Sequence, residues 1–82
     1  MFIDASAAVA IILNESDCDK LRKKLKSTRR RSMSAISIFE TVMAIRRVRK
    51  SSVAEAHALV DEFQYIFAVK SIDIETRFTK VA

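Results

Sequence analysis

Apolar residues recur along this chain in two spacings, and the change from one to the other marks the expected elements. Met1-Phe2-Ile3-Asp4 is a short apolar run closed by a carboxylate, which predicts a strand over residues 1–4. The apolar stretch after it predicts a short, mostly buried helix over residues 7–13, interrupted by Asn14 and Glu15. Cys18, Leu21 and Leu25 fall at i, i+3 and i+7 with Lys and Arg between them, so a basic amphipathic helix is expected over residues 16–25. Residues 32–35 read as extended and lead into a third helix reaching about Lys50. For that helix Ser37 and Glu40 offer an S-x-x-E capping box, and Phe39, Val42, Met43 and Ile45 its apolar face. Ser52 and Glu55 repeat the box, and behind them Ala56, Leu59, Val60, Phe63, Ile66 and Phe67 follow the clearest helical period in the chain. Residues 68–72 predict another strand, Asp73 can cap the element after it, and Ile74, Phe78 and Val81 begin one more helix.

The order strand, helix, helix, strand, helix, helix, strand, helix implies an α/β architecture with a small parallel sheet flanked by helices, because the connections are long enough for crossovers. At 82 residues there is room for one domain with a thin core, in which Phe2, Phe39, Phe63 and Phe67 are the expected aromatic members and Met33 and Met43 the fillers. The sequence stops inside an apolar stripe, which reads as a single incomplete domain over residues 1–82. Neither glycine nor proline occurs anywhere, so Ser, Asn and Asp are expected to make the turns of a helix-rich or incomplete chain. No apolar run approaches the roughly 18 residues of a membrane span. Cys18 has no second cysteine to pair with, which suits a reducing cytoplasm, and with one histidine zinc is not expected.

Charge adds a candidate partner. Between positions 20 and 50 there are 12 basic residues against one acidic residue, Glu40, whereas the remainder holds 3 basic and 9 acidic residues. Such a block attracts phosphates without sequence preference, although a solvated face or an acidic partner accounts for it equally. Its densest parts are Arg29, Arg30 and Arg31, and Arg46, Arg47 and Arg49. His57 shares the polar side of its helix with Asp61 and Gln64 and is expected to be exposed. Asp4 and Ser6 stand between a strand and a helix, where ligands collect in α/β proteins; either one can equally cap the helix.

The opening Phe2-Ile3-Asp4-Ala5-Ser6-Ala7, the later Ser34-Ala35-Ile36-Ser37-Ile38-Phe39-Glu40-Thr41-Val42, the helix pair reaching Phe63 and the strand after it resemble the N-terminal part of a PIN domain. The likeness is to VapC-type toxins of bacterial toxin–antitoxin modules, and it runs from Met1 to about Phe78. It implies a doubly wound α/β fold and RNA cleavage dependent on Mg²⁺ or Mn²⁺. Asp4 and Glu40 match the first two acidic metal ligands and catalytic carboxylates, and Ser6 matches a supporting hydroxyl. It also implies a cognate antitoxin and a homodimer. The family's remaining acidic ligands belong to its C-terminal part, and Asp73 and Glu75 do not stand where those ligands stand. Glu40 keeps its alternative role in the capping box. Three functions therefore stay open: a metal-dependent endoribonuclease, a catalytically dead module that binds an antitoxin or a full-length subunit, and a small basic nucleic-acid-binding protein.

Overall fold

The computed structural model describes residues 1–72. The expected helix starting near Asp73 lies outside them. Residues 1–4 are extended and meet the next strand in a single parallel bridge between Phe2 and Ser32, through Ile3 N–H to the Ser32 carbonyl at 2.8 Å and Ser32 N–H to the Met1 carbonyl at 2.9 Å. Then come α1 (Ala5–Ile12), α2 (Cys18–Lys26), β1 (Arg31–Ser34), α3 (Ala35–Arg49), α4 (Val53–Ile66) and β2 (Val69–Ile72). β1 and β2 pair in parallel, Arg31 with Val69 through Ser34 with Ile72. β1 therefore lies between the N-terminal segment and β2, and the architecture is α/β.

One face of the strands is buried. Ile3, Met33 and Val69 pack with Ala8 and Ile11 of α1, Leu25 of α2 and Phe63 of α4. Successive strand residues point to opposite faces, so with Ile3 inside, Phe2 must face out, and it is 51% exposed. The same parity turns Arg31 towards the covered side and leaves Arg30 exposed. A second cluster joins Val42 and Ile45 of α3 to Ala56 and Val60 of α4, with Ile12 and Leu13 alongside. Phe39 is not part of either buried set; it is 64% exposed, because the buried positions of α3 are Thr41, Val42 and Ile45 and place it on the flank. Of the four expected core phenylalanines, Phe63 is buried and Phe67 half-buried.

Helix starts decide where the chemistry-bearing side chains stand. α4 begins as expected: the Ser52 hydroxyl accepts from Glu55 N–H at 3.1 Å. α3 does not. Its N-cap is Ser34, whose hydroxyl accepts from Ser37 N–H at 3.0 Å, so the expected Ser37–Glu40 box is displaced by one turn. β1 ends at Ser34, and the extended backbone there (φ −78°, ψ 161°) is the geometry an N-cap requires. Three of the four described helices, α1, α3 and α4, end without glycine in left-handed backbone, at Asn14 (φ 56°), Lys50 (φ 54°) and Ala68 (φ 50°), whereas α2 ends in right-handed backbone at Ser27. Asn is the expected residue for such a turn; Lys and Ala are not.

Candidate active site

The N-caps of α1 and α3 are neighbours. Asp4 and Ser34 each stand two residues beyond the paired Phe2 and Ser32 in parallel strands, so both helices leave the same edge of the sheet. Asp4 is exposed and caps α1, with Oδ1 accepting from Ala7 N–H at 2.9 Å. Capping engages that oxygen, and Oδ2 has no protein partner among the described residues. Capping uses one oxygen of the carboxylate and leaves the other free, so the cap and site roles of Asp4 are compatible.

α1 and α3 border a cleft of about 540 Å³, lined by Ala5, Ser6, Val9 and Glu15 on one side and Phe39, Glu40, Met43, Ala44 and Arg47 on the other. Glu40, with α3 starting at Ala35, sits well past the first turn and takes no part in capping. Its exposed carboxylate has no ion-pair or hydrogen-bond partner among the described residues. Ser6 and Glu40 are thus brought to one cleft, and Asp4 immediately precedes its first lining residue without being on the lining itself.

Two further charged groups border the cleft. Glu15 reaches it because the left-handed turn at Asn14 redirects the chain after α1; Glu15 N–H donates to the Ala10 carbonyl at 2.9 Å. That turn is held by Arg22, which donates to Asn14 Oδ1 at 3.3 Å and to the Ile11 carbonyl at 3.2 Å. The sequence signal for Glu15 was the Asn before it, a residue that tolerates left-handed backbone. Arg47 follows Glu40 by seven residues, with Met43 and Ala44 between them on one helical stripe, a spacing readable from the sequence.

The basic residues divide. Arg29 and Arg30 are exposed and line, with Arg31, Ser32, Lys70 and Ile72, a separate cleft of about 420 Å³ that runs along the strands from their N-terminal ends, where the arginines stand away from Asp4. Arg31 is half-buried and structural: Nε donates to the Leu25 carbonyl at 2.7 Å and Nη1 to the Phe67 carbonyl. Arg46, Arg47 and Arg49 are exposed along the last turns of α3. His57 is exposed and pairs with Asp61 at 3.1 Å.

Asp4 and Glu40 offer hard carboxylate oxygens, a donor set that suits Mg²⁺ or Mn²⁺ completed by waters and phosphate rather than a closed protein cage. Among the described residues no group of three or more His, Cys, Asp or Glu converges on one point. No described helix is long and apolar enough to cross a membrane. No curated protein matches the chain. The family model for the PIN domain matches residues 1–80, nearly the whole sequence, and the chain belongs to the PIN-domain family.

Proposed function

We propose that this chain is a VapC-like toxin subunit whose α1–α3 cleft is built for metal-dependent cleavage of RNA. PIN domains are nuclease-type proteins, generally dependent on divalent metal. The observation that carries the reading is the placement of Glu40: freed from capping by Ser34, it turns into the cleft that Ser6 lines and that Asp4 adjoins. Asp4 Oδ2 and the Glu40 carboxylate would hold the cation, and Ser6 would orient them through its hydroxyl. A bound divalent cation supplies an activated water and offsets charge on the phosphate. Exposed arginines draw in the RNA backbone, Arg29 and Arg30 at one end of the strands and Arg46, Arg47 and Arg49 along α3. Arg31 has its guanidinium engaged within the protein and is left out of that set.

Asp4→Asn separates the two roles of that residue, because Asn caps a helix as well as Asp does but is a poor ligand for a hard cation. Mg²⁺-dependent RNA cleavage should fall by about a hundredfold or more in Asp4→Asn and in Glu40→Gln, with melting temperature unchanged. Cleavage that persists in Asp4→Asn refutes the assignment. RNA binding that survives both the substitution and EDTA, without any cleavage, points instead to a basic nucleic-acid-binding protein.

A second reading rests on the apolar surface. Phe39, Ile38, Val42, Met43 and Val53 border a groove of about 320 Å³ between α3 and α4, and Phe39 and Val53 on it are 64% and 50% exposed. Burial of this face by an antitoxin or a second copy of the chain accounts for it. Co-purification of a stable complex from an inactive chain is the outcome that favours an interaction module.

A further inference from the structure

We infer that Arg47 is the residue that seats the RNA backbone in the α1–α3 cleft, and that Glu15 acts against it by excluding the backbone from the other wall. The inference rests on the nuclease reading of this cleft and deepens it. Among the described residues, Arg47 is the one basic residue on the cleft lining, where it stands with Glu15 and Glu40. Although it shares the cleft with two carboxylates, it forms no ion pair with either; among the described residues Arg22 pairs with Asp19, and His57 hydrogen-bonds Asp61. Its guanidinium is therefore available to an outside anion.

Helix geometry separates Arg47 from its neighbours. Glu40, Met43, Ala44 and Arg47 form one stripe, and Arg47 stands about 10 Å from Glu40 along the axis at 1.5 Å per residue. Arg46 and Arg49 lie about 100° and 200° around the helix from it, and neither lines the cleft. A phosphate at the Glu40 end and a second phosphate of the same strand at the Arg47 end fit one continuous path along α3. Between them the wall is Met43 and Ala44, with Phe39 exposed at the rim, a surface that accepts sugar and base rather than charge. Guanidinium is the better group for this task because its planar fork can bond two phosphate oxygens at once. Glu15 carries the opposite sign, so a phosphate entering the cleft is kept off the Glu15 wall and settles at the Arg47 end of α3.

The test uses the full chain and a fluorescein-labelled single-stranded RNA of mixed sequence, with binding read by anisotropy in EDTA across a KCl series. Arg47→Ala should weaken binding about tenfold and reduce the salt slope by about 0.7, the value for one single-strand phosphate contact. Arg46→Ala and Arg49→Ala, which remove the same charge, should each weaken it only about twofold. Arg47→Lys should restore the slope but only part of the affinity, because the charge returns without the fork. Glu15→Gln should tighten binding, and by more than Glu62→Gln on α4. Equal losses in the three arginine variants, or no RNA binding by the parent chain, overturn the inference. Binding that depends on Arg47 without any Mg²⁺-dependent cleavage upholds it while removing the nuclease reading. Cleavage with an Arg47→Ala variant indistinguishable from Arg49→Ala does the reverse.

Discussion

Replacing Ser34 by alanine should destabilise the protein far more than replacing Glu40 by glutamine, and the contrast locates the true start of α3. Ser34 is 3% exposed, and its hydroxyl both accepts from Ser37 N–H at 3.0 Å and donates to the Ser37 hydroxyl at 3.1 Å. Alanine removes both bonds and leaves the Ser37 N–H without its acceptor near the end of a buried strand. An N-cap hydroxyl contributes about 1 kcal/mol, and the unpaired donor raises the loss to about 1.5 kcal/mol. A chain of this size has about 4–12 kcal/mol of stability in total. At about 4–8 °C per kcal/mol for a domain of this length, the melting temperature should fall by about 6–12 °C. Glu40→Gln removes a charge from an exposed site with no intramolecular partner among the described residues and should change stability by less than about 0.5 kcal/mol. Thermal and urea unfolding followed by far-UV circular dichroism measure both. A Glu40→Gln loss as large as that of Ser34→Ala refutes the reading, since it returns Glu40 to a capping box and withdraws its carboxylate from the cleft.

Arg31→Met keeps an apolar stem but removes the donors to the Leu25 and Phe67 carbonyls, which tie the end of α2 to the end of α4. Hydrogen bonds from a charged group are the strong kind, so a loss of about 2–3 kcal/mol is expected in urea unfolding, and a loss below about 0.5 kcal/mol means the bonds are not formed in solution. Met33→Ala opens a cavity under β1, where the side chain is fully buried between Ile3 and Leu25. It should cost about 2–5 kcal/mol in urea unfolding, a large share of the total, and a transition near that of the parent protein contradicts the packing described.

How much of this was legible depended on whether a residue's fate is settled locally. α4 was, because Ser52, Glu55 and a sustained helical period all agree on one frame. α3 was not: Ser34 and Ser37 stand three residues apart, each able to cap, and the choice between them falls to the strand pairing that holds Ser34 opposite Ile72. Four residues at the N-terminus cannot reveal which parity faces the helices, so Phe2 read as core although Ile3 took that place. Three consecutive arginines look alike until strand parity turns Arg31 inward at the start of β1 and engages its guanidinium. Asp4, Ser6 and Glu40 are singled out as a set by family likeness alone; the structure brings Ser6 and Glu40 to a common cleft with Asp4 beside it, and the roles of Asp4 and Glu40 rest on the substitutions proposed above. Glu15 was read only as the end of a helix, because its reach into the cleft depends on a left-handed Asn14 fixed by Arg22 from another element.

The left-handed turns at Asn14, Lys50 and Ala68 carry an energetic consequence for the unfolded chain. Holding a side-chain-bearing residue in that conformation costs about 1–2 kcal/mol, a cost glycine would avoid. Glycine, however, widens the ensemble that folding must collapse, by about 0.4–1 kcal/mol per position. With no glycine at all, this chain accepts strain in the native state at three helix ends and, in exchange, begins from a stiffer denatured one. By these magnitudes the strain at the three turns exceeds what the stiffer denatured chain returns there, so any gain in resistance to unfolding from the lack of glycine is made at the other positions of the chain.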